Sequence, residues 1–334
     1  MKQSHNRRGV SPEYRQRLRD TLAGILSRDR RGTPSRLRQL CENLIEIFDA
    51  SSKRRYIGVY GQQKAGKSTL FNSIIREEVL PVKAIPTTGS IIDLIRNPEA
   101  KDYTVTCCKG TNRYPKNFNT AEEVCNFLDK VATQKQPVDK VEVKAAFPHA
   151  AEFMTPGCIL RDTPGAIANP DDAEAERLKE DSQKTLDSLS EVCIPIFCVS
   201  GEAIGGTDDK ELYDNHLRDR FCLHVITHRD GDDNEEVVQD LDDKLGIYHD
   251  NIDENPIICT GKSNKRNPFV DRGLDDLAEQ IRAFLDEGSL AGKMFIMAKY
   301  ISECHIDGNL PWKVDVVLID KLNHLIEEIE NDEN

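Results

Sequence analysis

The amino-acid sequence predicts an α/β fold, with a mostly parallel central sheet, helices on both of its faces, and helical segments at both ends of the chain. Two observations lead to this prediction. Between residues 56 and 287, short runs of β-branched and aromatic residues alternate with longer segments of helical periodicity. The chain has 334 residues, enough for one sizeable core and a smaller appended element. We therefore expect a single α/β domain flanked by helices.

The N-terminal segment is predicted to be a basic helical arm. Apolar residues recur at helical spacing over 11–29 and again over 37–48, with a Gly-Thr-Pro break between the two runs. Residues 1–56 contain 14 Lys and Arg against 6 Asp and Glu, whereas the whole chain has a formal net charge of −13. Such an arm can bind acidic lipid, nucleic acid or an acidic part of its own chain. We favour the last, because residues 327–333 are strongly acidic, and we expect no nucleic-acid partner.

The central region is predicted to alternate strands with helices. Strands are predicted at 56–60, 91–95, 103–108, 140–147, 157–161, 192–199, 221–226 and 256–259. Helices are predicted at 67–75, 120–133, 172–190, 208–219, 234–246 and 273–286. Thr120 and Glu123 have the spacing of a capping box at the start of one of these helices. After residue 288 the strand pattern stops, and 289–304 and 312–330 are predicted to be helical.

The composition argues against a membrane-spanning or disulfide-rich chain. The sequence has no run of 18 apolar residues, and its first residues lack the apolar core of a signal peptide. The ten cysteines are scattered without a C-x-x-C pair, as expected for free thiols in a reducing compartment. We expect a cytoplasmic protein, and the basic arm adds the expectation of peripheral contact with a membrane.

A glycine-rich loop follows the first predicted strand of the central region. Residues 61–68, GQQKAGKS, fit the pattern G-x-x-x-x-G-K-[ST] between a strand and a helix. In this arrangement backbone N–H groups wrap the phosphates of a nucleoside triphosphate, Lys67 reaches the β- and γ-phosphates, and Ser68 binds Mg²⁺. The alternative is an ordinary strand-to-helix turn. The predicted phosphate-binding residues are Gly61, Gln63, Lys64, Ala65, Gly66, Lys67, Ser68 and Thr69.

A second motif, Asp162-Thr163-Pro164-Gly165, follows the apolar strand predicted at 157–161. An acidic residue at the end of a neighbouring parallel strand can hold a magnesium-bound water, and the N–H of Gly165 can bind the γ-phosphate. By itself this tetrapeptide is a common turn. With the glycine-rich loop upstream, it predicts a metal site that includes Ser68 and Asp162.

Two short segments after later strands predict a base site. They are Thr227, His228, Arg229 and Asp230 after the strand at 221–226, and Thr260, Gly261 and Lys262 after the strand at 256–259. The carboxylate of Asp230 can accept both hydrogen bonds from the N1–H and N2–H₂ edge of guanine, a donor pair that adenine lacks. An acidic solvated turn is the alternative. The second segment is expected to contact the base through its backbone.

A candidate switch segment lies between the glycine-rich loop and Asp162. It contains Pro86-Thr87-Thr88-Gly89. A threonine here can complete the magnesium shell while the γ-phosphate is present and release it after hydrolysis. The alternative is a threonine pair that only caps a turn.

Taken together and in this order, the motifs resemble the GTPase domain of the dynamin superfamily. The resemblance covers about residues 50–287 and is closest to bacterial dynamin-like proteins, which share a leucine-proline stretch running into Pro-Thr-Thr, here residues 80–88. It implies that Thr88, rather than Thr87, is the switch threonine and a metal ligand. It also implies GTP hydrolysis with Mg²⁺, stimulated when two GTPase domains meet across the nucleotide.

The resemblance assigns catalytic roles to two further residues. Gln63 matches the position that helps to orient the attacking water. Lys64 matches a position that usually works with a bound monovalent cation, and its ammonium could neutralise charge developing between the β- and γ-phosphates. For Lys64, a side chain pointing to solvent is the alternative. The predicted catalytic set is therefore Gln63, Lys64, Lys67 and Thr88.

Two features depart from the family pattern. His228 occupies the position of a lysine whose methylene stem covers the guanine ring, where a histidine ring could stack instead. The residues after 287 are too few for the long stalk and membrane-binding insert of full dynamins, and they resemble only a short helical neck. The predicted domains are an N-terminal helical arm at 1–50, a dynamin-type GTPase domain at 51–287 and C-terminal helices at 288–334, the two helical parts forming the neck.

The leading hypothesis is a dynamin-like GTPase that binds GTP and GDP and couples hydrolysis to movement of the neck, with a role in membrane remodelling. It is expected to assemble as a nucleotide-dependent homodimer or with another dynamin-like subunit. The first rival is a regulatory switch or scaffold whose GTP state recruits a partner protein. The second is a P-loop ATPase.

Overall fold

A computed structural model describes residues 55–82, 90–132, 138–154, 157–165, 175–202, 206–217, 222–228, 257–261 and 268–285, with a few isolated residues elsewhere. By its contacts the chain divides into two units, one of Lys53–Ile281 and one of Met1–Ser52 with Arg282–Asn334. The first unit contains the whole described sheet. The predicted helices at 37–48, 289–304 and 312–330 lie outside the described residues, as does nearly all of the helix predicted at 11–29.

The described residues form one sheet of nine strands. The strands are β1 Arg55–Tyr60, β2 Ile91–Arg96, β3 Tyr103–Lys109, β4 Asn112–Phe118, β5 Lys140–Ala145, β6 Cys158–Asp162, β7 Val192–Ser200, β8 Leu223–Thr227 and β9 Ile257–Cys259. Their order is β4-β3-β5-β2-β6-β1-β7-β8-β9. β6, β1, β7, β8 and β9 are mutually parallel, and β2 is parallel to β5. β2 is antiparallel to β6, and β3 is antiparallel to β4 and β5. The predicted mostly parallel sheet is confirmed.

Helices connect several of these strands. The described α-helices are α1 Lys67–Ile75, α2 Ala121–Ala132, α3 Ala175–Ser188, α4 Thr207–Leu212 and α5 Leu274–Leu285. The predicted capping box starts α2, where the N–H of Glu123 donates to Thr120 Oγ1 at 3.2 Å and the N–H of Thr120 donates to Glu123 Oε2 at 3.3 Å. Within the described part of the chain, none of the helices has the length and hydropathy needed to cross a bilayer.

The core lies around β1 and β7. Eight consecutive residues of β7 are buried, as expected of a central parallel strand covered on both faces. Phe197 of β7 stacks on Tyr213, with ring centroids 5.5 Å apart, and both belong to a buried cluster with Leu212 and Leu217. Burying these side chains fixes α4 and the π-helical turn Tyr213–Leu217 against the sheet.

Three elements differ from the sequence prediction. β4 was not predicted, because six of its seven residues are exposed and Pro115 interrupts it; proline is tolerated there because β4 is an edge strand. The helix predicted at 208–219 is α-helical only over Thr207–Leu212 and continues as a π-helical turn. The strand predicted at 140–147 ends at Ala145, since Phe147 adopts a φ of 40° before a 3₁₀ turn at Pro148–Glu152.

Candidate functional site

The loops that follow β1, β6, β7, β8 and β9 come to one edge of the sheet, because the carboxyl ends of parallel strands point to the same edge. The register sets Val59 opposite Asp162 and Ser200 opposite Thr227. Each segment predicted to bind nucleotide therefore begins at this edge.

The loop between β1 and α1 has glycine where a side chain cannot fit. Gly61 has a φ of 148°, and a Cβ there would lie 2.2 Å from the carbonyl oxygen of Cys198 on β7. Gly66 caps α1 with a φ of 78°, and no side chain of a described residue caps the helix. Lys64 also has a positive φ, 63°, which costs a non-glycine residue about 1 kcal/mol or more. The first N–H groups of α1 are thus left for another acceptor.

Lys67 turns back onto this loop. Its Nζ donates to the carbonyl oxygen of Gly61 at 3.0 Å and to that of Gln62 at 2.6 Å. Burial lowers the pKa of Lys67, and the nearby acidic side chains of Asp162 and Asp209 oppose this shift. The loop thus encloses a buried ammonium group that phosphate oxygens could bind in place of the two carbonyls.

Ser68 and Asp162 lie next to that ammonium group. Ser68 Oγ donates to Asp162 Oδ2 at 2.8 Å, while Asp162 Oδ1 is buried and accepts no hydrogen bond from any described residue. Burial raises the pKa of Asp162 to about 6, although Lys67 and the bond from Ser68 act in the opposite direction.

This pair fits a magnesium ion shared with phosphates. Mg²⁺ usually keeps several waters and binds one or two protein oxygens beside substrate phosphates. The hydroxyl of Ser68 and the unused oxygen of Asp162 supply such ligands, directly or through water. Among the described residues, no group of three His, Cys, Asp or Glu side chains could hold a metal ion by itself.

The segment after Asp162 packs on the glycine-rich loop. Thr163 Oγ1 donates to the carbonyl oxygen of Val59 at 2.6 Å, which ties the segment to β1. A Cβ on Gly165 would lie 2.4 Å from Gln63 Cγ and 2.7 Å from its backbone nitrogen. Only glycine therefore fits at this position, and Gly165 and Gln63 are in direct contact.

A small cavity lies beside Gly66 on the side of β8 and β9. It is lined by Gly66, Thr69, Leu70, Thr227, His228, Thr260, Gly261 and Val270. Thr227 Oγ1 donates to the carbonyl oxygen of Ala65 at 2.8 Å, so it accepts in its 3.2 Å contact with His228 Nδ1. His228 has a φ of 59°, and its Cε1 lies 3.2 Å from the Cβ position of Gly66. The described residues predicted for the base thus adjoin the predicted phosphate loop.

Every predicted site residue that the structure describes lies at this edge of the sheet. Thr87, Thr88, Arg229, Asp230 and Lys262 lie outside the described residues. Their roles stay predictions.

One acidic residue near Lys67 was not predicted. Asp209, in the first turn of α4, is 3% exposed, and its Oδ1 accepts no hydrogen bond from the described residues. Burial and the neighbouring Asp208 raise the pKa of Asp209 to about 7, against the effect of Lys67. α4 begins against the loop, since a Cβ on Gly206 would lie 3.3 Å from Gln62 Nε2. The only sequence signal, acidic residues in the first turn of a helix, equally fits an ordinary helix start.

Comparison with known proteins finds a matching family and a curated relative. Residues 57–212 match the dynamin family. Over 128 residues, the chain is 30% identical to Dynamin-like protein A of Bacillus subtilis (strain 168), a match that covers 37% of this chain and 10% of that protein. The matched stretch is therefore about a tenth of that relative's length.

Two solved structures share the fold. Both are described as an oligomerised bacterial dynamin pair that provides a mechanism for the long-range sensing and tethering of membranes. Their TM-scores are 0.50 and 0.52 at 17% and 18% identity, and the matches cover 90% of this chain but only 44% and 45% of the solved chains. At this identity the likeness concerns the fold alone. The family match, which the relative's 30% identity supports, identifies residues 57–212 as a dynamin-family domain.

Proposed function

We propose that the chain binds GTP with Mg²⁺ at this edge of the sheet and hydrolyses it. The observation that carries the proposal is the cluster of buried Lys67, half-buried Ser68 and buried Asp162 beside the start of α1. A triphosphate carries several negative charges, and its complements are an ammonium group, helix-start N–H groups and a metal site. The cluster and the uncapped start of α1 supply all three.

Ser68 and Asp162 would hold the metal, with Thr88 added when the γ-phosphate is present. The metal, when bound, would neutralise charge on the β- and γ-phosphates. Lys67 would exchange its bonds to the carbonyl oxygens of Gly61 and Gln62 for bonds to phosphate oxygens. Because the protein already holds its ammonium inside the loop, this exchange needs only a small movement.

Hydrolysis would depend on the position of the attacking water rather than on a strong base. We assign that role to Gln63, whose backbone is fixed by its contact with Gly165. The N–H of Gly165 would bind the γ-phosphate. Lys64 is exposed on the same loop, and its ammonium would neutralise the charge that develops between the β- and γ-phosphates.

The base would occupy the cavity beside Gly66. We assign guanine recognition to Asp230, and stacking on the base to His228, which lines this cavity. The other assigned base contacts are Thr227, Arg229, Thr260, Gly261 and Lys262. Thr227 would also hold the phosphate loop through its bond to Ala65.

The proposal extends to assembly. Two GTPase domains, spanning 51–287, would pair across the nucleotide, and hydrolysis would move a helical neck built from 1–50 and 288–334. The second copy could be this chain or another dynamin-like subunit. The neighbouring structures described as an oligomerised pair support this part, and their description as sensing and tethering membranes supports peripheral contact with a membrane. We further propose that this contact is made from the cytoplasmic side and serves membrane remodelling.

The test is GTP turnover at increasing protein concentration, with the Lys67→Ala variant as the matched control. We expect the rate per molecule to rise with concentration, the variant to be inactive, and ATP to be a poor substrate. A rate per molecule that does not change with concentration would favour the regulatory switch, and equal or faster ATP turnover would favour the ATPase. If calorimetry with Mg²⁺ detects binding of neither nucleotide, the proposal is wrong as a whole.

The role of Lys64 has a separate test. If its ammonium takes the place of a bound monovalent cation, hydrolysis needs neither potassium nor sodium. The wild-type rate should therefore stay the same when an organic ammonium ion replaces potassium in the buffer, whereas the Lys64→Ser variant should lose activity. A wild-type rate that rises with potassium contradicts the assignment.

A further inference from the structure

Two adjacent buried polar side chains of α1 hold two different segments of the chain. They are Asn72, which is 2% exposed, and Ser73, which is 0% exposed. Burying a polar group without a hydrogen bond costs a large free energy. The hydrogen-bond partners of Asn72 and Ser73 therefore indicate which segments the two side chains hold in place.

Asn72 binds both backbone groups of a single residue. Its Nδ2 donates to the carbonyl oxygen of Leu80 at 2.8 Å, and its Oδ1 accepts from the N–H of Leu80 at 2.9 Å. A two-point contact of this kind fixes both the position and the orientation of the backbone at Leu80. Leu80 itself is 1% exposed, so packing of its side chain also holds it in place.

The position of Leu80 matters because Leu80 lies in the sequence between α1 and the proposed switch segment. On α1, Asn72 lies one helical turn after Ser68, the proposed metal ligand, and therefore on the same face. In sequence, Leu80 leads into Pro86-Thr87-Thr88, the proposed switch segment. At the far end of that segment, Ser90 Oγ donates to the carbonyl oxygen of Val138 at 2.8 Å. Asn72 thus fixes the backbone at Leu80 from the face of α1 that carries Ser68.

Ser73 holds a segment on the base side. Its hydroxyl donates to the carbonyl oxygen of Thr69 at 2.7 Å, so it must accept in its 2.9 Å contact with the N–H of Val270. Val270 lines the cavity that we assign to the base, together with His228. Without the hydroxyl, the N–H of Val270 loses this acceptor in a buried place.

We propose that Asn72 and Ser73 are positioning residues with separate tasks, Asn72 setting the phosphate and metal side of the site and Ser73 setting the base side. The proposal rests on the proposed function, since it assumes a nucleotide in this site. If the two tasks are separate, substitution of Asn72 should mainly change kcat, whereas substitution of Ser73 should mainly change Kd.

The experiment compares Asn72→Ala, Ser73→Ala and a control, Ser188→Ala, in the full chain. Ser188 lies at the end of α3, is 5% exposed, and likewise makes two buried hydrogen bonds, to the carbonyl oxygen of Thr185 at 2.7 Å and with Tyr60 Oη at 3.0 Å. It therefore reports what the loss of a buried polar side chain does by itself. If Asn72→Ala does not fold, Asn72→Asp replaces it, because the carboxylate still accepts from the N–H of Leu80 but cannot donate.

We expect Asn72→Ala to lower kcat for GTP about tenfold and to raise the Mg²⁺ concentration needed for half-maximal rate, with Kd for GDP changed less than about threefold. We expect Ser73→Ala to raise Kd for GDP about tenfold, with a much smaller change in kcat at saturating GTP. Ser188→Ala should change neither by more than about twofold.

Two results would overturn the inference. In the first, Asn72→Ala and Ser73→Ala change kcat and Kd in the same proportion, which is what a general loss of stability produces. In the second, neither variant differs from Ser188→Ala. If instead the wild type neither binds GDP nor hydrolyses GTP, the proposed function fails, and this inference fails with it.

Discussion

The buried carboxyl group of Asp209 should make the stability of this protein depend on pH. It is 3% exposed in the first turn of α4, and the charged groups that act on it are Asp208 of the same helix and Lys67 of α1. Burial, with a contribution from Asp208, raises the pKa of Asp209 from 3.8 to about 7. We predict that the Asp209→Asn variant removes this pH dependence.

The sign follows from proton binding in the two states. Between about pH 4 and pH 7 the folded state holds a proton on Asp209 that the unfolded chain does not, so the free energy of unfolding falls as pH rises. The contribution of Asp209 is fully present below pH 4 and is lost as pH rises to about 7. A difference of this size corresponds to at most about 4 kcal/mol. An amide does not titrate in this range, so the variant has no such loss.

The assay is chemical denaturation of wild type and Asp209→Asn at pH 5 and pH 8, without nucleotide. The stability of the variant minus that of wild type should be about 2 to 3 kcal/mol larger at pH 8 than at pH 5, because part of the loss has already occurred by pH 5. Comparing the two pH values cancels any cost of the amide that does not depend on pH. The control variant Asp208→Asn removes the same charge at a neighbour that is less buried. Its stability relative to wild type should change by less than about 1 kcal/mol between pH 5 and pH 8. An equal stability difference for Asp209→Asn at both pH values would refute the reasoning.

Three further predictions concern the loop and its neighbours. Lys67→Ala should weaken GDP binding by about 10- to 100-fold in calorimetry, because a charged hydrogen-bond donor is lost, while the circular dichroism spectrum stays that of wild type. Gly165→Ala should lower GTP turnover by about 100-fold, since its Cβ would lie 2.4 Å from Gln63 Cγ and must displace the loop; a normal rate would show that this contact is unimportant. Thr227→Val should weaken GDP binding about tenfold through loss of the 2.8 Å bond to Ala65, whereas Thr227→Ser should bind like wild type.

The sequence was informative where structure is local and uninformative where it depends on distant partners. Three consecutive elements were predictable, namely β1, the glycine-rich loop and α1. A strand pattern, a glycine-rich pattern and a helical pattern follow one another directly in the sequence, and the structure gives Gly61 and Gly66 the positive φ that glycine allows. β4 was not, because its side chains face water and leave no apolar alternation. Asn72 and Ser73 were overlooked because polar residues within a helix pattern are expected on the solvent side. Their partners Leu80 and Val270 are set by the tertiary fold.

The same long-range contacts hold the glycine-rich loop in place. Gly61 lies over the carbonyl oxygen of Cys198, Ala65 is held by Thr227, and Lys67 binds two carbonyl oxygens of the loop. These contacts come from β7, β8 and α1, which are buried parts of the structure, and they lie on both sides of Lys64, whose positive φ costs about 1 kcal/mol or more. Ordering a flexible loop on binding costs free energy and so reduces affinity. A loop that the sheet already orders avoids this cost, and its affinity for the proposed phosphate ligand is higher for that reason. The affinity of the site for nucleotide should therefore depend on the hydroxyl of Thr227 and on glycine at position 61, as well as on the residues proposed to bind phosphate.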